Sequence, residues 1–384
     1  MLEMAEKPTI SILDISLTSG GAEKVISLLL KELVKDYQVT LVLFYNEIHF
    51  PIPEGVNVVI FSTKGPDRKF YQKIIETVGF IYKYHKLLKT QKIQYAVSFL
   101  AFPNLVNGIV SIFNKKVKTY VSERGFPSDN TTSKLSLYIA KIAYPLLYNR
   151  CYKLFSNSVY INQDLEENFG IKIPMEVVYN PIILPEKTIT PKTLEDVKAP
   201  LKLITAGTMN HRKNQAMIIK AIERLEKKFN LTILGRGYLD NELKLHAKQA
   251  NLEKEISFPG NVKNVNDYLV NHHCFVLSSH TEGFPNALLE ALAAGLPSIS
   301  TNCLSGPLEL LHDNREATIP KGGFFKAKYG ILVTNDDDEG LSKAIEYLWQ
   351  NPAERVRYSQ LSLERAKHYE LPFIYNRFKE FIHS

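Results

Sequence analysis

Two glutamates eight positions apart, Glu282 and Glu290, close the segment "EGFPNALLE" at either end. Ala287, Leu288, Leu289, Ala291, Leu292 and Ala293 surround the second acid, which reads as part of a buried helix. A carboxylate on so apolar a helix is costly unless something satisfies it. Sugar hydroxyls are a suitable partner, since each carboxylate oxygen accepts a hydrogen bond from a neighbouring hydroxyl. Gly283, Phe284 and Pro285 lead into the helix, and proline fits a first turn. The free amides near Phe284, Asn286 and Ala287 would then face a ligand.

Other stretches suggest an anion. In "GTMNHRKNQ", Arg212 and Lys213 precede a helix start, with Asn214 a candidate cap. A bidentate arginine beside a point-charge lysine suits a diphosphate, and equally a solvated surface pair. In "SLTSGGAEK", Gly20 and Gly21 open a helix, where paired glycines let backbone approach a phosphate or simply make a turn. Gly207 follows "LKLITA", and Gly235 and Gly237 follow "LTIL", in turns that suit a bound base or no ligand at all. Gly306, Pro307 and Glu309 open one more helix. No G-x-G-x-x-G dinucleotide pattern occurs. Cys151, Cys274 and Cys303 are widely spaced, "HHC" at His272 leads into a strand, and the acids of "NDDDEG" suit a helix N-terminus, so no metal is expected.

These residues sit where strands end. "PTISILDISL", "YQVTLVLFYN", "GVNVVIF", "IQYAVSFL", "VKTYVSE", "KLFSNS" and "MEVVYNP" alternate with helical stretches. The alternation restarts at "LKLITAG" and continues through "LTILG", "ISFPG", "CFVLSS" and "PSIST". Such alternation predicts α/β architecture in two Rossmann-like, doubly wound domains, whose ligands lie beyond the carboxyl ends of strands. The predicted bounds are 1–182 for the first domain, 183–200 for a proline-rich linker, 201–364 for the second domain and 365–384 for a final helix. The 384 residues suffice for two domains, and 45% apolar with 23% charged is a globular balance. The N-terminal decapeptide does not read as a signal peptide, and no run is long enough to span a membrane. A cytosolic location follows as an expectation.

The ordered set "SGGAEKV", "YNPI", "TAGTMNHRKN", "LGRG", "EGFPNALLE" and "SGPLEL" resembles family-four retaining glycosyltransferases with their E-x7-E motif, over nearly the whole chain. It looks closest to bacterial enzymes that extend lipid-linked or surface polysaccharides. The resemblance implies the GT-B fold: two Rossmann-like domains facing a cleft, with a C-terminal helix crossing back onto the first. For that helix, Phe373, Ile374, Phe378 and Phe381 are the expected apolar stripe. It implies that Glu290 binds the ribose of a nucleotide-sugar donor and Glu282 the donor sugar. Residues 283–287 would touch sugar and diphosphate, Lys213 would neutralise the leaving group, and Gly21 would let its loop close over it. No cofactor or metal is implied. Two departures stand out. Thr208 replaces the arginine often found after the glycine of "TAG", with Arg212 an inferred substitute. Arg124 of "VSERGFP" replaces a frequent histidine, either to meet an acceptor phosphate or to pair with Glu123.

The charge is uneven. Between Lys64 and Lys153 there are sixteen Lys/Arg and four Asp/Glu, against a net +7 for the whole chain. Lys69, Lys73, Lys83, Lys86 and Lys89 mix with Phe70, Phe80, Tyr82 and Tyr84, which suits an anionic membrane surface or a helix whose aromatics face the core. The expected activity is transfer of a hexose or N-acetylhexosamine from a nucleotide sugar, UDP-linked by resemblance, to a lipid-linked or surface glycan acceptor at the cytoplasmic membrane face. A sugar-nucleotide epimerase of the same fold and a nucleic-acid-binding protein with a degenerate cleft are the alternatives. No recognised nucleic-acid motif accompanies the basic charge.

Overall fold

The computed structural model describes residues 7–63, 65, 70–129, 133–225 and 228–384, with the side chains of residues 70 and 71 excepted. Lys69 and the side chain of Phe70 therefore lie outside the described residues. The chain forms two compact units, residues 1–181 with 371–384, and residues 182–370.

The first unit is a seven-stranded parallel sheet. Its strands are β1 (Thr9–Asp14), β2 (Gln38–Tyr45), β3 (Val56–Ser62), β4 (Tyr95–Phe99), β5 (Lys118–Glu123), β6 (Lys153–Ser156) and β7 (Met175–Val177), in the order β3-β2-β1-β4-β5-β6-β7. The inner strands are buried along almost their whole length, because helices cover both faces of a parallel sheet. Helix Gly21–Asp36 buries Val25, Ile26, Leu29, Leu30 and Leu33 at helical spacing, and Ser27 and Leu28 besides, so its middle is covered on more than one face.

The second unit repeats the plan. Its strands are β8 (Leu201–Ala206), β9 (Phe229–Leu234), β10 (Ile256–Gly260), β11 (Cys274–Leu277), β12 (Ser298–Thr301), β13 (Phe324–Lys326) and β14 (Ile331–Val333), in the order β10-β9-β8-β11-β12-β14-β13. All neighbours are parallel except the β13–β14 hairpin at the edge. The sequence pattern gave no sign of this hairpin, since three-residue strands carry no readable period. In both sheets the order reverses beside the first strand of the unit, so the loops after β1 and β4, and after β8 and β11, flank a switch point.

The proline-rich stretch is not a free linker. Residues 182–200 belong to the second unit. The Ile189 amide donates to Ala294 O at 2.8 Å. Arg355, 1% exposed, donates to the carbonyls of Leu194 at 3.0 Å, Leu348 at 2.6 Å and Trp349 at 2.8 Å. Pro191 opens a short 3₁₀ turn, Pro191–Leu194, whose last carbonyl Arg355 takes.

The final helix is Leu371–His383 and packs in the first unit, whereas helix Pro352–Lys367 stays in the second. Ile374, Phe378 and Phe381 are buried, with Phe381 5.1 Å from the Phe155 ring and Tyr120 Oη donating to Ile382 O at 2.6 Å. Phe373 departs from the expected stripe and is exposed, because it falls off the 374-378-381 face.

Candidate functional site

In the second unit, three loops that follow strands converge on Glu282. The loop after β8 forms a short 3₁₀ turn, His211–Lys213, with the Asn210 side chain accepting the Lys213 amide at 3.0 Å. Asn210 thus caps this turn, while Asn214 holds the N-cap position of the next helix. Asn214 adopts a left-handed conformation (φ 47°) before helix Gln215–Glu223, makes no capping bond, and gives its amide to Asp336 at 3.0 Å. The loop after β11 ties this turn down: Ser278 donates to Lys213 O at 2.9 Å, and the His280 amide to Arg212 O at 2.8 Å.

That tie brings three predicted residues together. Lys213 Nζ lies 2.5 Å from Glu282 Oε1, and Arg212 Nη1 lies 3.6 Å from Oε2. Ser279 donates to the same Oε1 at 2.6 Å. Glu282 is 4% exposed, while the Arg212 side chain is 49% exposed. Burial alone would raise the Glu282 pKa, but the charges of Lys213 and Arg212 and the hydrogen bonds outweigh it, holding the carboxyl below the ordinary range. Beside it, burial first and the Glu282 charge second push the Cys303 thiol up to about 12, which leaves it protonated and unreactive.

The glycines explain the close approach. A Cβ on Gly235 (φ +121°) would sit 2.1 Å from Gly207 O, so the turns after β8 and β9 touch backbone to backbone. Gly207 in turn lies under the Lys213 stem. Gly306 (φ +100°) is the same device one strand on: a Cβ there would meet Pro285 Cδ at 2.3 Å. Ser305 donates to Gly283 O and fixes the 283–285 loop from below.

Helix Asn286–Ala293 starts from that loop, with Pro285 at its cap position. Leu288, Leu289, Ala291, Leu292 and Ala293 are buried, and Phe284 packs inward with its ring 5.6 Å from Tyr369. Only Asn286, Ala287 and Glu290 within the helix keep partial exposure, and their spacing puts them on one face. The acid that looked costly on an apolar helix thus lies on its one open side.

The first unit holds the remaining predicted residues. Gly20 caps helix Gly21–Asp36 without a side-chain bond. Glu23 occupies the first turn, leans on Gly20 and accepts from Thr18 at 3.1 Å, so this N-terminus already carries a carboxylate. Asp14, which sequence reading passed over, ends β1 fully buried. Its Oδ1 accepts the Ile15 amide at 2.8 Å and its Oδ2 has no hydrogen-bond partner among the described residues. Burial pushes its carboxyl well above the ordinary range, and the Glu23 charge adds to this.

Arg124 is neither a surface cation nor an ion-pair partner of Glu123. It is 8% exposed and lies between the Phe99 and Phe155 rings, at 5.1 and 5.0 Å. Its guanidinium donates to Ser122 Oγ at 2.8 Å and Asn180 Oδ1 at 3.0 Å. Glu123 instead accepts from Tyr148 Oη at 2.5 Å and Asn104 at 3.2 Å. The basic helix Phe70–Thr90 also divides: Phe80 and Tyr84 are core residues, Lys83 donates to Phe61 O at 2.6 Å, and Tyr82 is exposed. Among the described residues, no group of His, Cys, Asp and Glu is arranged to hold a metal ion. His272 is bonded to Tyr268 O and Thr232, and Cys274 is buried in the sheet.

Comparison with known proteins adds the following. Residues 19–184 match the family model described as Glycosyltransferase Family 4, and residues 186–364 the model described as Glycosyl transferases group 1. A relative from Campylobacter jejuni, N-acetylgalactosamine-N,N'-diacetylbacillosaminyl-diphospho-undecaprenol 4-alpha-N-acetylgalactosaminyltransferase, is 29% identical over 92% of this chain and 94% of its own. Among solved structures, the lipopolysaccharide outer core galactosyltransferase WaaB superposes with a TM-score of 0.74 at 16% identity, covering 98% of this chain and 99% of that one. HepE of Anabaena, in complex with UDP and glucose, gives 0.76 at 15% identity and the same coverage. These likenesses show the GT-B fold.

Proposed function

Because the chain belongs to the family-four glycosyltransferases, we propose that it is a retaining hexosyl- or N-acetylhexosaminyltransferase. It would use a UDP-linked donor and a lipid-linked or surface glycan acceptor at the inner face of the cell membrane. The Campylobacter relative, named for a diphospho-undecaprenol acceptor, supports the acceptor class. The UDP complex of HepE agrees with the donor, which otherwise rests on the motif resemblance.

The observation that carries this reading is the Lys213–Glu282 pair, with Arg212 at its open edge. In the reaction the bond from the sugar's anomeric carbon to the diphosphate oxygen breaks. A bond from that carbon to the acceptor oxygen forms on the same face, and the acceptor proton leaves with the phosphate. Negative charge grows on the leaving diphosphate while positive charge grows on the sugar. Fixed cations beside the leaving oxygens stabilise this separation without reorganising. Lys213, held by Glu282, and the half-exposed Arg212 supply them. Glu282 also offers its carboxylate to donor-sugar hydroxyls, and Glu290 binds the ribose diol from the open face of its helix. The amides near Phe284, Asn286 and Ala287 face the sugar and phosphates, with Gly207 and Gly235 giving the backbone room. On the first unit, the Gly20–Gly21 turn would approach a phosphate only with Glu23 displaced from Gly20. This scheme needs no metal or cofactor, and activity unchanged by a chelator is expected.

Membrane association is part of the proposal. Helix Lys134–Tyr148 leaves Leu135, Tyr138, Ile139, Ile142 and Leu146 between 47% and 68% exposed. Helix Phe70–Thr90 exposes Ile74, Ile75, Val78 and Tyr82 among lysines. Apolar residues beside cations suit an anionic leaflet. No described helix is long and apolar enough to cross it.

A panel of nucleotide sugars and free nucleoside diphosphates, read by thermal stabilisation and by hydrolysis, tests the donor claim. At least one uridine compound should stabilise the chain. Glu290→Gln should weaken that binding about tenfold with the fold intact, the effect of losing one charged hydrogen bond. No response to any compound refutes the reading.

A further inference from the structure

At the amino-terminal ends of β4 and β5, away from the residues assigned to donor and transfer, the first unit contains a cavity of about 600 Å³. Its floor is apolar, with Leu88 and Ile93 almost fully buried, and Phe113 stands at its wall 63% exposed. Lys89, Lys92, Lys115 and Lys116 also line it, and all four are exposed. Among the described residues, none of these ammonium groups is paired with a carboxylate. The reason is legible in the chain: no Asp or Glu occurs between Glu76 and Glu123.

The loops explain the assembly. Helix Phe70–Thr90 and helix Ala101–Phe113 both end here, before β4 and β5 respectively. A single lysine at each end would complement the two helix dipoles. Four cations on one rim repel each other with no internal anion, which favours an anionic occupant. A neighbouring cavity of similar size makes the contrast. There Thr40 donates to Gln91 at 2.7 Å, and Lys7 is spent on Val34 O at 2.9 Å, so the lining satisfies itself.

We propose that the lysine-rimmed cavity binds a single-chain anionic amphiphile, its phosphate or carboxylate head on the four lysines and its short tail on the apolar floor. The volume is that of a small-molecule site. A strand of five or six residues separates it from the loops after β4 and β5, roughly 17–20 Å, so it is distinct from the transfer chemistry.

Dodecyl phosphate below its micellar concentration is the probe, with binding to the full chain followed by calorimetry. Saturable one-to-one binding is expected. It should weaken at least about tenfold in Lys115→Glu/Lys116→Glu, whose side chains are exposed and whose circular dichroism should be unchanged. Phe113→Ser should weaken it by loss of tail contact. Equal binding of inorganic phosphate would overturn the proposal by reducing the rim to a plain anion patch. Loss of phosphatidylglycerol-vesicle binding in the lysine variant, without any binding of monomeric dodecyl phosphate, would overturn it in favour of a membrane contact. A normal donor response in the same variant separates either failure from a failure of the transferase reading.

Discussion

Glu282 and Glu123 are both buried acids at strand ends, and both have a basic residue close by, yet burial wins at one and loses at the other. Glu282 receives Lys213 across 69 positions of sequence, at 2.5 Å. Glu123 has Arg124 next to it in the chain, but that guanidinium is turned to Ser122 and Asn180 between two aromatic rings. The carboxyl of Glu282 is consequently held below the ordinary range, whereas burial pushes that of Glu123 up to about 7, against its hydrogen bonds and the Arg124 charge. Burial also pushes Arg124 down to about 9. Adjacency in sequence does not make an ion pair. Two adjacent residues on extended backbone point to opposite sides, and a cation from another loop has the freedom to align. The first acid is kept charged beside Lys213, and the second braces the sheet from within.

The largest effect should come from Lys213→Met. Transfer should slow about 100- to 1,000-fold, as when one preorganised electrostatic contact is removed. The abandoned Glu282 should also destabilise the chain by about 3 kcal/mol. Initial rates and denaturant titrations measure both, and an unchanged rate would remove Lys213 from the chemistry. Glu282→Gln should cost less stability, since the amide still accepts from Ser279, and should slow transfer about tenfold or more through a loosened Lys213. It should also abolish an acid limb. Because Glu282 binds its proton less readily folded than unfolded, its stabilisation is complete above about pH 4.5 and is lost as pH falls through the lowered folded value.

Glu123 should show the opposite slope. Between its ordinary value of 4.5 and about 7 the folded chain holds the extra proton, so stability falls as pH rises through that window. Glu123→Gln should flatten the slope, with Asp14 leaving a residue of the same sign, and should leave the transfer rate near that of the parent. Denaturant midpoints at a series of pH values report it. A slope untouched by the substitution would mean that Glu123 is ionised throughout. Smallest of all, Arg212→Ala should cost under about tenfold in rate, and the loss should shrink with added salt, as befits a half-exposed cation.

The strand alternation and the acid-bearing loop were readable because each leaves a periodic or local mark. Around Glu290 the sequence reads as a wholly buried helix, whereas Asn286, Ala287 and Glu290 stay partly open in the structure. What the sequence hid was set by contacts between distant positions. Ser279 is one serine among many until it is seen donating to Glu282. Asp14 ends an ordinary apolar strand. The prolines of residues 182–200 announce irregular backbone but not the arginine at 355 that packs it. The lysines at 89, 92, 115 and 116 look like scattered surface charge until two helix ends bring them round one cavity.

The final helix has a consequence for how the molecule is made. The first unit is assembled from two separate pieces of chain, and the second lies entirely between them. During synthesis the middle unit can close its own core before the last segment has emerged. The first unit, begun earlier, then still lacks Phe378 and Phe381, which cover Phe155, and Ile382, whose carbonyl receives the Tyr120 hydroxyl. A nascent chain thus leaves Tyr120 and Phe155 uncovered from the emergence of β6 until that of residues 378–382, the interval in which chaperones and proteases compete for it.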